Sequence, residues 1–156
     1  MNDLILPIDS KGLFLLPQYQ EDTAYYVYGS PGNGVAQFAH QRMITFLMHV
    51  QFEWSKSDRR KIGVGNITLM DGLKDKDHQS HKAGLDVDIR PIRKDGKELP
   101  TTCKSVSYDR QATLRLVQTM QQTGLTRTIL FNDSLLPGLK PWVGHDDHLH
   151  ISLRSA

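Results

Sequence analysis

The sequence predicts an α+β domain with a central, mainly antiparallel sheet flanked by two helices, and three observations point to it. Apolar and polar residues alternate at 85–89 and 148–153, as strands with one buried face require. Two longer segments, 35–54 and 107–123, instead repeat apolar residues at helical spacing. Residues 1–156 contain no internal repeat, low-complexity tract or linker, so they read as one domain.

Taken in order, residues 24–28 (Ala-Tyr-Tyr-Val-Tyr) have the aromatic and β-branched content of a strand, and Gly29-Ser-Pro-Gly-Asn-Gly34 closes it with a dense turn signal. A helix is expected from Val35 to about Trp54, with Phe38, Met43, Phe46, Leu47 and Val50 as its apolar stripe. The basic run 56–61 reads as a solvated helix end. Ile62-Gly-Val-Gly-Asn-Ile67 has strand character, and its two glycines allow close approach of a neighbour. Residues 70–82 read as a polar loop leading into the strand Leu85-Asp-Val-Asp-Ile89. After a turn at Lys94-Asp-Gly96, Ser107 is placed to cap a helix through Thr123, with Ala112, Leu116 and Met120 on one face and Gly124 as its stop. Ile129-Leu-Phe131 reads as a buried strand, 135–144 as a Pro/Gly-rich loop and His148-Leu-His-Ile-Ser-Leu153 as a final strand.

Composition excludes several classes. Hydrophobic residues make up 38% and charged residues 23%, which rules out a disordered or fibrous chain. Nineteen Lys and Arg against seventeen Asp and Glu give a net charge of +2, too small a field to announce a nucleic-acid partner. No run reaches the roughly 20 apolar residues of a membrane span, so no membrane insertion is expected. The single cysteine, Cys103, forbids an internal disulfide and reads as a small apolar filler. Residues 1–10 lack a basic start and break their apolar stretch at Pro7 and Asp9, so no Sec signal peptide is expected there.

Five of the seven histidines fall in two short stretches, 78–81 and 145–150, and clustered imidazoles suggest a metal. Period-two alternation turns His148 and His150 to one side of their strand and Asp86 and Asp88 to one side of theirs. Three ligands drawn from His81, an Asp of the 86/88 pair and a His of the 148/150 pair form a nitrogen/oxygen set that Zn2+ accepts. The fourth tetrahedral position is then left for water, the signature of a hydrolytic site, and the His not used as ligand is placed to act as base. His40 and His49 read as ordinary surface or satisfied histidines. Asp86 is divided between supporting a ligand and facing solvent. Asp147 reads as a turn residue and weaker base candidate, and Ser80 as a hydrogen-bonding loop residue.

At Ser80-His-Lys-Ala-Gly-Leu-Asp-Val-Asp-Ile89 and Gly144-His-Asp-Asp-His-Leu-His-Ile151 the chain resembles the penicillin-insensitive murein endopeptidases. These are zinc peptidases related to lysostaphin-type endopeptidases and D-Ala-D-Ala carboxypeptidases. Ile89-Arg-Pro-Ile-Arg-Lys-Asp-Gly96 and Ile129-Leu-Phe-Asn-Asp133 extend the likeness over about residues 60–153. The resemblance implies a D-Ala-D-Ala carboxypeptidase/lysostaphin/Hedgehog-like fold with the zinc site on its sheet. It implies zinc ligands at His81, Asp88 and His150, with His148 as base or transition-state stabiliser. His145 and His78 match further family histidines, suited to orienting water or steadying an oxyanion.

It also implies a D,D-endopeptidase cutting the D-Ala to meso-diaminopimelate cross-link of bacterial peptidoglycan, with no acylating serine and hence indifference to β-lactams. A D-Ala carboxypeptidase is the nearest enzymatic alternative; relatives of that kind place a Glu three residues before the last His ligand, where this chain has Asp147. A non-catalytic zinc-dependent wall-binding module is the alternative of another class. Secreted housekeeping members carry a signal peptide and several cysteines; this chain has one cysteine, and its residues 1–10 read as no such leader, so export by another route or prior removal of a leader is expected. An antibacterial effector acting in a rival's periplasm, delivered for instance by type VI secretion and matched by a periplasmic immunity protein, is therefore expected. A phage endolysin is the other setting.

Overall fold

The computed structural model describes residues 6–72, 81 and 83–155. His78, Ser80 and most of the expected 70–82 loop lie outside them, as do residues 1–5 of the leader reading. The elements in chain order are β1 (Phe14–Leu15), β2 (Tyr25–Val27), β3 (Phe38–Ala39), α1 (Gln41–Ser55), β4 (Ile62–Val64), β5 (Asp86–Ile89), α2 (Arg110–Gln122), β6 (Thr126–Leu130) and β7 (Leu149–Leu153), with short 3-10 turns at Gln20–Asp22 and Met70–Gly72. The architecture is α+β, as expected. Five strands form one sheet in the order β2-β4-β5-β7-β6, in which β2 and β4 run parallel and the other pairs antiparallel. β1 and β3 make a separate antiparallel pair.

One face of the sheet is apolar for the reason the sequence suggests. Val87 and Ile89 of β5 and Leu149, Ile151 and Leu153 of β7 alternate onto it and are buried. They share a single core with the stripes of both helices, Met43, Phe46, Leu47, Val50 and Trp54 from α1 and Ala112, Leu116, Val117 and Met120 from α2. Burial of a side chain of this size contributes about 1.5–3 kcal/mol, so this layer dominates the stability. The opposite face carries Asp86, Asp88 and His150. Among the described residues, no helix is long and apolar enough to cross a membrane.

Four local expectations are corrected. The first helix begins at Gln41, not near Val35, because Phe38 and Ala39 pair with β1 and His40 caps the helix by accepting from the Arg42 amide. The second is capped by Asp109, whose carboxylate accepts from the Ala112 amide 3.0 Å away, and Ser107 instead pairs its hydroxyl with Thr101. The 56–61 run is not merely solvated: Arg60 pairs with Asp58 and Asp109 and so ties the end of α1 to the start of α2. The strand expected at 129–131 starts earlier, at Thr126, and ends at Leu130. The glycines of β4 do admit a close neighbour, since a Cβ at Gly63 or Gly65 would strike the rings of Tyr26 and Tyr28.

Candidate metal centre

Two central strands supply the floor of the site. β5 and β7 are antiparallel neighbours in a register that sets Asp88 opposite His150 and Asp86 opposite Ser152. Because each strand buries its odd-numbered residues, these four side chains emerge together on the other face. His150 Nδ1 lies 3.0 Å from Asp88 Oδ1, and its Nε2 lies 3.4 Å from Asp86 Oδ1. Asp86 is therefore a supporting partner, held in turn by the Ser152 hydroxyl at 2.5 Å.

His81 arrives from outside the sheet. Its Nδ1 is 2.7 Å from the Ile67 carbonyl, the His81 backbone carbonyl accepts from the Thr68 hydroxyl, and its Nε2 stands 3.4 Å from Asp88 Oδ2. A carbonyl can only accept, so Nδ1 carries a proton, and in the neutral ring Nε2 is the nitrogen with a lone pair to offer a metal. His150 has a carboxylate beside each ring nitrogen, so in its neutral form one of them, Nδ1 toward Asp88 or Nε2 toward Asp86, holds the proton and the other the lone pair a metal would take. Bracing of this kind fixes tautomer and ring orientation at metal sites. Gly84 completes the approach: its φ is +68°, and a Cβ there would meet the His40 amide nitrogen at 2.4 Å.

His81, Asp88 and His150 are all buried, with one ligand atom from each lying within 4.8 Å of the others, and this group could hold a metal ion. The two imidazole rings meet edge to face with centroids 4.9 Å apart. Burial pushes the Asp88 carboxyl up, but hydrogen bonds from His150 and His81 outweigh it and hold the group well below the usual carboxylate range. Asp86 is lowered as well, burial being overcome by His150 and Ser152. Burial would depress His150, yet the paired carboxylates of Asp86 and Asp88 push it up to about 9. The donor set is thus two imidazoles and an ionised carboxylate, a chemistry suited to a divalent ion.

The remaining sequence-predicted histidines divide. His148 sits just before β7 with its Nε2 3.8 Å from Asp88 Oδ1, and its Nδ1 is 2.8 Å from Asp147 Oδ1. Asp147 accordingly braces His148, a role its position in the sequence left open. His145 stacks near His148 at 4.7 Å between centroids and lies 5.8 Å from the His150 ring. It is half-buried, which lowers its pKa, and its Nδ1 is 3.0 Å from the Val143 carbonyl. His40 and His49 are exposed, as expected, and Cys103 is a free, half-buried thiol packed against the core.

Sequence reading gave no role to Asn132, Tyr28 or Arg90. Asn132 pins the loop that carries His145: its amide donates to Asp146 at 2.7 Å, its side-chain oxygen accepts from the Trp142 amide at 2.8 Å, and its backbone amide donates to the His145 carbonyl. No spacing rule links residue 132 to residues 142–146. Arg90 was legible in principle, since it follows Asp86 and Asp88 by the same period of two. No protein-family model matches the chain, and no curated protein matches it at a significant level.

Proposed function

We propose that the protein is a Zn2+-dependent peptidase that hydrolyses peptide cross-links of bacterial peptidoglycan, a D,D-endopeptidase for the D-Ala to meso-diaminopimelate bond. The observation that carries this reading is the one-sided construction of the centre. Three buried donors converge from β5, β7 and the segment before β5, while the partly exposed His148 flanks them with a nitrogen left for chemistry. Two nitrogens and one carboxylate oxygen match the ligand sets of catalytic zinc. A zinc ion held there would polarise the scissile carbonyl and acidify a water molecule. The substrate class rests on the likeness of 80–89 and 144–151 to the murein endopeptidases.

The chain's own residues supply the proton chemistry. Asp147 accepts the His148 Nδ1–H, which leaves Nε2 free to take a proton from the attacking water and later return it to the leaving amine. His145 donates Nδ1–H to the Val143 carbonyl, so its neutral form offers only an acceptor at Nε2. That suits orienting a water better than steadying an oxyanion. The engagement of Asp147 with His148 also favours the endopeptidase over a carboxypeptidase, whose base would stand at position 147. A structural zinc module has no need of a braced third imidazole. A setting as a periplasm-acting antibacterial effector with an immunity partner, or as a phage endolysin, fits a hydrolase of this size.

Mass spectrometry of purified sacculi digested with and without chelator tests the reading. Loss of cross-linked muropeptide dimers, stopped by chelator and restored by Zn2+, is expected. Intact dimers alongside an active control hydrolase would remove the endopeptidase, and free D-Ala from monomeric pentapeptide would promote the carboxypeptidase.

A further inference from the structure

The metal-bearing face of the sheet continues beyond the ligands. The Arg90 amide bonds to the Gly63 carbonyl at 2.9 Å, extending β5 by one residue, so Arg90 emerges on the face of Asp86 and Asp88. A Cβ built on Gly63 would lie 3.1 Å from Arg90 Cβ, which confirms the shared face. One strand period separates Arg90 from the ligand Asp88, roughly 6.5–7 Å along the chain.

The guanidinium is mounted rather than dangling. It lies 3.9 Å over the ring of Tyr28 and 5.8 Å from the centroid of Tyr26. One terminal nitrogen, Nη1, reaches the Tyr26 hydroxyl at 3.4 Å and the Glu98 carbonyl at 3.3 Å. Gly63 and Gly65 leave room for the two rings to lie against β4. Among the described residues, no carboxylate pairs with Arg90, although Arg60, Arg93, Arg110 and Arg115 each have one. Arg93 and Lys97 line the same hollow as Arg90. An oriented, stacked guanidinium with spare donors is the side chain best fitted to bind a carboxylate in a fork.

We propose that Arg90 binds a substrate carboxylate next to the scissile amide and makes the site specific for peptides bearing one. The inference rests on the peptidase reading for its substrate. Two sources offer the same chemistry: the free carboxylate on the diaminopimelate centre that supplies the leaving amine, or the terminal carboxylate of an uncross-linked stem.

The first arm needs no turnover. In 15N NMR of the zinc-loaded protein, N-acetyl-D-alanine should shift the Arg90 Nε–H resonance saturably, and N-acetyl-D-alaninamide should not. An unmoved resonance, or equal shifts with both probes, overturns the proposal even if sacculi are digested. The second arm compares kcat/KM on cross-linked dimers with the diaminopimelate carboxylate free or amidated. Wild type should prefer the free acid by about 10- to 100-fold, the worth of a hydrogen bond to a charged group, and Arg90→Gln should abolish that preference with zinc content unchanged. Equal losses on both dimers would assign Arg90 to packing alone. Preference for a terminal carboxylate on monomeric pentapeptide would identify the other source. If wild type cleaves neither substrate, the peptidase reading fails while the NMR arm still decides whether Arg90 binds carboxylates.

Discussion

His148 and Asp133 are both held by a neighbouring charged side chain, but they govern different properties. His148 approaches the His81, Asp88 and His150 group only at 3.8 Å, through Asp88, so on the proposed reading its removal takes away the base and no ligand. His148→Ala should keep the full complement of zinc by elemental analysis and lower kcat by about 10²–10⁴, the usual contribution of a positioned acid–base group. His150→Ala should lose both. Asp133 lies away from that chemistry: buried, it accepts from the Tyr108 hydroxyl at 2.8 Å and from Arg110 Nε at 2.7 Å. Burial raises its pKa, but these partners outweigh it and hold the carboxyl below its ordinary value. A depressed folded-state value means that the stabilisation is complete above the unfolded carboxyl pKa of about 3.9 and is lost as pH falls through the folded value. Urea unfolding at pH 6 and pH 3 should therefore show a larger drop for wild type than for Asp133→Asn; equal drops would exclude Asp133 as a source of acid sensitivity. The three candidate ligands were readable because the chemistry of a metal site restricts them to a few residue types. The bracing of His148 by Asp147 was not, since adjacent residues on a strand normally diverge and only the turn into β7 brings them together.

At the level of elements, period two proved the more reliable guide. In β5 and β7 a one-sided burial requirement acts on every second residue, so the pattern is local and visible. The start of α1 was hidden because Phe38 sits at helical spacing from the stripe yet belongs to the β1–β3 pair, a contact between distant segments. The start of α2 was missed for a related reason: Ser107 and Asp109 are both good caps, and Arg60, 49 residues away, also binds Asp109. Gly84 shows how an element boundary reaches the metal cluster. Its carbonyl accepts from the His40 amide at the head of α1, and it stands between His81 and Asp88. Gly84→Ala forces a left-handed backbone on alanine, costing about 1–3 kcal/mol before the clash with residues 39 and 40 is counted. Thermal unfolding should register that loss, and zinc affinity measured by competition with a chromogenic chelator should fall as well. Unchanged affinity would uncouple this turn from ligand placement.

For the whole molecule, the three candidate ligands come from segments that meet only in the folded chain, so an ion that binds all three binds the native state alone. Free Zn2+ at about 100 times its Kd should add roughly 2.7 kcal/mol. For a chain of this size that raises Tm by roughly 5–10 °C in calorimetry. His150→Ala should show no such rise, and an unchanged wild-type Tm would argue against the cluster as a zinc site. The strand order β2-β4-β5-β7-β6 itself was not legible: the helical connections are visible in the sequence, but nothing local specifies which strands become neighbours. The Asp88–His150 pairing sets different tolerances for length change along the chain. Deleting one residue inside 149–153 would exchange the two faces of β7, turning an isoleucine toward Asp88 and an imidazole into the core. Residues 94–100 form an exposed excursion between β5 and α2, so extra residues grafted there leave the ladder in step. An insertion at that tip spares the register of β7 and bears only on the Glu98 carbonyl that holds Arg90, whereas single-residue indels should be purged from β7 in any deep mutational library.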